Sequence, residues 1–168
     1  MTTHRRSDAL PFPDLKKTGI YIVFANSISM PPVDTNYLAV LVGAGINMAV
    51  GMFWYSTAGF GKPWMTMMGM TNNDLKSAKK KGMGKIYTAA IMSALIQVWV
   101  LSIFIDWAQA ATVNEGAATG LLLWLGFVAT VSLGTILWEN KPVKLYLLNN
   151  GYNVVALTVN GALLAIWT

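Results

Sequence analysis

The sequence has no cysteine and a single histidine, His4. Without cysteine there is neither a disulfide framework nor a thiol nucleophile. With one histidine near the start of the chain, no Ser–His pair and no histidine-based metal site is expected in the folded region. Charge is scarce too. Twelve Lys and Arg and seven Asp and Glu make up 11% of 168 residues, against about 25% in ordinary soluble domains. So few charges cannot cover the surface of a soluble domain of this length. Disorder is excluded by the opposite bias: 55% of residues are apolar, and disordered chains are poor in these. No Gly-rich phosphate loop is present, because the glycines follow helical spacing. Paired carboxylates are missing: Asp106 and Glu115 flank one short loop and Glu139 stands elsewhere. The chain is not expected to be an enzyme, and no catalytic residue, metal site or cofactor is expected.

What is present is a set of long uncharged stretches: Asn36 to Gly61, Ile86 to Ile105, Gly116 to Trp138 and Leu145 to Thr168. A helix needs about 20 mostly apolar residues to cross a hydrocarbon core. In hydrocarbon every backbone N–H and C=O must be paired within the protein, which favours helices. The expected fold is therefore all-α, an integral membrane four-helix bundle. Its spans are placed at about 36–56, 85–106, 117–138 and 150–167, the last starting as early as Leu145. Aromatic rings bracket them: Tyr37 with Trp54 and Tyr55, Tyr87 with Trp107, Trp138, then Tyr152 with Trp167. Such rings favour the headgroup level. Trp99 and Trp124 fall inside their spans and are read as packing or lipid-facing groups.

Residues 1–35 form an extension ahead of the 36–168 membrane domain. Thr18–Met30 is apolar but short, and Pro31-Pro32 ends any helix there. It reads as an extra N-terminal helix that is interfacial, re-entrant or a short span. No small-residue cleavage site follows it, so a removed signal peptide is not expected. Loops 57–84 and 139–149, with Lys85 at the edge of the first, hold eight basic residues, Lys62, Lys76, Lys79, Lys80, Lys81, Lys85, Lys141 and Lys144. The positive-inside rule puts both loops in the cytoplasm and the C-terminus outside the cell membrane. Arg5, Arg6, Lys16 and Lys17 oppose this unless Thr18–Met30 itself crosses.

In the first loop, Pro63 suits the first turn of a short helix whose Trp and Met residues fit the bilayer boundary. A second helix starts near Thr71–Asp74, with Asn or Asp as cap. The cluster Lys76, Lys79, Lys80, Lys81 and Lys85 serves as a topology signal, or as a contact for lipid headgroups or a partner. It lacks the fold and aromatic interleaving of a nucleic-acid binder.

Polar groups recur at mid-span. Asn47, Gln97, Thr130, Ser132, Thr158 and Asn160 lie at similar depth and are expected to turn inward, with Asn47, Gln97, Thr130 and Asn160 as one helix-packing layer. Small residues accompany them in stripes: Gly43 and Gly51 with Asn47, Ala89 and Ser93 with Gln97, Gly126 and Gly134 with Thr130. No ionisable residue lies at that depth, which weighs against proton or cation coupling.

Several local sequences occur in a fixed order. They are Trp54-Tyr55, Phe60-Gly61-Lys62-Pro63-Trp64-Met65, Ala78-Lys79-Lys80-Lys81-Gly82-Met83, Trp124-Leu125-Gly126-Phe127, Trp138-Glu139, Lys141-Pro142 and Asn149-Asn150-Gly151-Tyr152. In these the chain resembles the domain-of-unknown-function 1761 family of small prokaryotic membrane proteins. The resemblance implies a four-helix integral membrane fold and no assigned activity. The expected role is an accessory or structural subunit. It would pack among lipids and other integral membrane subunits, with no nucleic acid and no small-molecule substrate identified. The alternative is a small transporter or channel-like homo-oligomer, which requires a water-accessible cavity reaching Asn47, Gln97 and Asn160.

Overall fold

The computed structural model describes residues 33–80 and 82–167, apart from the side chains of residues 72, 78 and 79. The N-terminal segment Thr18–Met30 and its basic residues lie outside the described residues, as does Lys81. All regular structure among the described residues is helical. Helix α1 spans Tyr37–Trp54, α2 Gly61–Met67, α3 Asn72–Lys80 and α4 Gly84–Trp107. Helix α5 spans Val113–Leu123 and runs into a π-helical segment, Trp124–Ala129, then α6, Thr130–Ser132, and α7, Gly134–Leu137. Helix α8 spans Val143–Ile166.

Three of these helical segments are long and apolar enough to cross a membrane: Tyr37–Trp54, Gly84–Trp107 and Val113–Leu137. Helix α8 has 24 residues, as many as α4, yet it falls short in apolar character. Asn149, Asn150, Asn153 and Asn160 dilute it. It also packs against α1, α4 and α5, with Asn150 and Asn160 on its buried side. A helix enclosed by protein can carry amides that a lipid-facing one cannot.

Local sequence sets the helix ends. Asn36 caps α1, its Oδ1 accepting from Leu38 N–H at 3.1 Å and Ala39 N–H at 3.2 Å. Its Nδ2 donates to Trp167 O at 3.0 Å, tying the start of α1 to the end of α8. At the other end, Trp54 Nε1 donates to Leu148 O at 3.1 Å. Helices α1 and α8 are therefore antiparallel. The chain leaves α1 through a tight turn in which Gly61 N–H donates to Ser56 O at 2.9 Å. A β-carbon at Gly61 would strike the carbonyls of Tyr55 and Ser56, so this turn requires glycine. It sets α2 beside the first half of α8. Glu115 and Thr112 form a capping box that opens α5.

Thr71, rather than an Asn or Asp, precedes the first helical residue of α3. Asp74 Oδ2 accepts from Thr71 N–H at 2.8 Å and from Thr71 Oγ1 at 2.6 Å. These bonds, the side-chain one first, hold the Asp74 carboxyl below its ordinary pKa. A depressed folded-state pKa means stability that is present above the ordinary carboxylate value and lost as pH falls through the depressed one. Amide protection factors at Asp74 and Leu75 are expected to drop below about pH 4, while those in the middle of α4 hold. Hydrogen exchange across that pH range checks this.

The closest helix contact is between α5 and α8. A β-carbon at Gly116 would run into Gly161 O, and one at Gly120 into Leu157 O. This is a small-xxx-small approach of the kind that lets apolar helices touch backbone to backbone. The apolar core beside it is built from Val98, Leu101 and Ile105 of α4 with Leu157 and Leu164 of α8.

Candidate functional site: an amide–phenol network and the cleft it lines

Asn47 sits on the α1 face that packs inward, 2% exposed. Its Nδ2 donates to Gln97 Oε1 on α4 at 2.7 Å. Its Oδ1 accepts from Tyr152 OH on α8 at 2.9 Å. One amide thus links three helices. Tyr55 continues the system toward the loop end, its OH donating to Asn149 Oδ1 at 3.2 Å and its ring 5.7 Å from that of Tyr152. Asn47, Tyr55 and Tyr152 border a cleft of about 490 Å³ between α1 and α4, which Met52, Met83 and Tyr87 also line. The network is made of amides and phenols. It can hold helix register and orient a polar ligand group, but supplies neither a strong base nor a metal-binding set.

Asn160 lies a turn further along, only 1% exposed. It does not join the Asn47–Gln97 pair. Its Nδ2 donates to Ala156 O of its own helix at 2.9 Å. Its Oδ1 has no hydrogen-bond partner and faces Gly43, where a β-carbon would stand 2.7 Å away. The bare Cα–H of a glycine is the weak donor such contacts use.

Thr130 departs from the expectation. It is exposed and donates to Gly126 O of its own segment at 2.6 Å. A β-carbon at Gly126 would meet nothing within 4 Å. Ala89 and Ser93 likewise face outward. The cause in the third segment is the π-helical turn. In an unbroken α-helix the inward face of Gly116 and Gly120 would continue through Phe127 and Val131. Those two are 68% and 74% exposed. The inward positions are instead Val128, Ala129 and Ser132. A turn that takes in one extra residue rotates the following helix by about 100°.

That shift builds a second polar cluster, in which Ser132 turns inward as expected and meets partners on α8 that the periodicity does not show. Asn150, buried on α8, donates through Nδ2 to Ser132 Oγ at 2.9 Å and to Tyr146 O at 3.1 Å. Leu133 N–H, which a regular helix would send to Ala129 O, donates to Thr130 O at 3.3 Å. Tyr146 OH then donates to Ala129 O at 3.0 Å. Tyr146→Phe removes that donor and is expected to cost about 1 kcal/mol; a thermal or denaturant unfolding series in micelles measures it. The clues available in sequence were Ser132 at mid-span and the Tyr146-x-x-x-Asn150 spacing of α8.

Of the lysine cluster, Lys76, Lys80 and Lys85 are exposed near the loop end of the helices. Lys81 and the Lys79 side chain lie outside what is described. Trp99 is exposed, whereas Trp124 packs against the core.

A family model described as protein of unknown function (DUF1761) matches residues 38–165. The chain belongs to this family. No curated protein and no solved structure matches it. The DUF1761 segment contains the whole network, from Asn47 to Tyr152, and Asn160 as well. Two of its sequence elements have structural roles in this chain: Trp54 bonds α8, and Gly61 permits the turn onto α2.

Proposed function

We propose that this DUF1761 protein is a multi-pass protein of the cell membrane, a four-helix bundle with loops 57–84 and 139–149 cytoplasmic and the C-terminus outside. Within the membrane it acts as a non-catalytic accessory or structural subunit, packing against lipids and other integral membrane subunits. Three apolar helices with large hydrophobic side chains turned outward support the setting. The inward turn of α8 and its asparagines supports its place as the fourth span.

The observation that carries the subunit role is the outward Gly126–Thr130 pair. Gly116 and Gly120 are covered by Gly161 and Leu157, but Gly126 and Thr130 are covered by nothing among the described residues. Their hydroxyl is already bonded within the segment. A small, internally satisfied patch on a spanning helix is what a neighbouring helix packs on. The near-complete burial of Asn47 and Asn160 favours packing over a water-filled path.

Mild-detergent purification from the native membrane is expected to retain at least one integral partner. Gly126→Leu is expected to release that partner while leaving the chain folded. A lone monomer in every gentle preparation would overturn the reading. The transporter alternative draws on the 490 Å³ cleft that reaches Asn47; water-soluble thiol reagents labelling an Asn47→Cys variant in intact cells would favour it.

A further inference from the structure

We propose that the groove between α2 and the first half of α8 holds an acyl chain of an anionic phospholipid, with its phosphate at Lys144. This rests on the membrane reading above. The groove encloses about 650 Å³, within the roughly 300–1,000 Å³ typical of small-molecule sites. Phe60 and Met67 form one wall, Leu147 the other, and Trp54 the floor. The floor is fixed in place. Trp54 Nε1 is bonded to Leu148 O, its ring lies 4.7 Å from that of Phe60, and a β-carbon at Gly151 would stand 2.9 Å from Trp54 Cζ2.

The walls suit a hydrocarbon chain. Thr66, the one lining hydroxyl, already donates to Lys62 O at 3.2 Å, which leaves little for a peptide backbone to bond. Among the described residues, Lys144 is the one charged side chain in the lining. The same end of the molecule carries exposed Lys62, Lys76, Lys80, Lys85 and Lys141, against Asp74 and Glu139. Basic pockets between helices on the cytoplasmic side are where anionic headgroups settle. An apolar trough with a single cation in its lining, in a basic rim, has the charge complement of an anionic lipid.

Native mass spectrometry of the detergent-purified full chain tests this, with titration by phosphatidylglycerol, phosphatidylcholine and oleate. Phosphatidylglycerol is expected to bind at several-fold lower concentration than phosphatidylcholine. Lys144→Gln is expected to narrow that gap about fivefold, whereas Lys141→Gln, in the rim and outside the groove, narrows it by clearly less. Met67→Trp, which fills the trough, is expected to displace both phospholipids. Equal binding of the two phospholipids, equal losses in both lysine variants, or Lys144-dependent binding of oleate alone would overturn the assignment. Recovery of the chain from the aqueous fraction would remove the membrane reading with it. A folded, detergent-dependent chain without lipid preference removes only the lipid site.

Discussion

Gly120→Ala is expected to destabilise the protein by about 1–3 kcal/mol, and Gly126→Ala to leave it unchanged or stabilise it by up to about 1 kcal/mol. The two substitutions are chemically identical and six positions apart. They differ in what the added methyl meets. At Gly120 it meets the backbone carbonyl of Leu157, which cannot turn aside as a side-chain tip can. Helices α5 and α8 must then separate, losing contact along Gly116, Gly161 and Ala165 together. At Gly126 it meets open space, and the helix gains from a residue with less backbone entropy to lose. Equilibrium unfolding in mixed micelles, followed by circular dichroism, measures both. Equal effects at the two positions would falsify the α5–α8 contact and the outward turn of Gly126.

Asn47→Ala is the second large effect. It removes two interhelical hydrogen bonds at once, leaving Gln97 Oε1 without its donor and Tyr152 OH with only the backbone carbonyl of residue 47, at 3.4 Å. A loss of about 1–3 kcal/mol is expected, set mainly by the orphaned groups and not by the bonds themselves. A double-mutant cycle with Gln97→Ala separates the terms. Its coupling energy is expected near 0.6 kcal/mol and not above about 1.7 kcal/mol, the range found for side-chain bonds between helices in membranes. A coupling of zero would mean that the two amides do not pair.

Much of the architecture is legible in the residues. Uncharged runs bounded by Trp and Tyr mark where the helices lie, because backbone pairing and aromatic placement are local matters. Asn36, Pro63 and the Thr112–Glu115 box mark ends for the same reason. The close approach of Gly116 and Gly120 was also written in the chain as a four-residue spacing. It is inconspicuous beside Gly126, Thr130 and Gly134, which show the same spacing and face away. The last helix shows the reverse difficulty. Its asparagines lower its apolar character, although it packs against three other helices.

By itself the sequence determined the class of structure: apolar helices, a basic loop end, and a chain with no cysteine and one histidine. Tertiary structure alone decided which amides meet. Asn47 finds Gln97 and Tyr152, Asn160 finds its own helix and a glycine, and Thr130 finds neither. The reason is rotational. Helical periodicity assigns a face only while each residue advances the helix by the same angle, and the π-helical turn at Trp124–Ala129 breaks that count midway along the third segment.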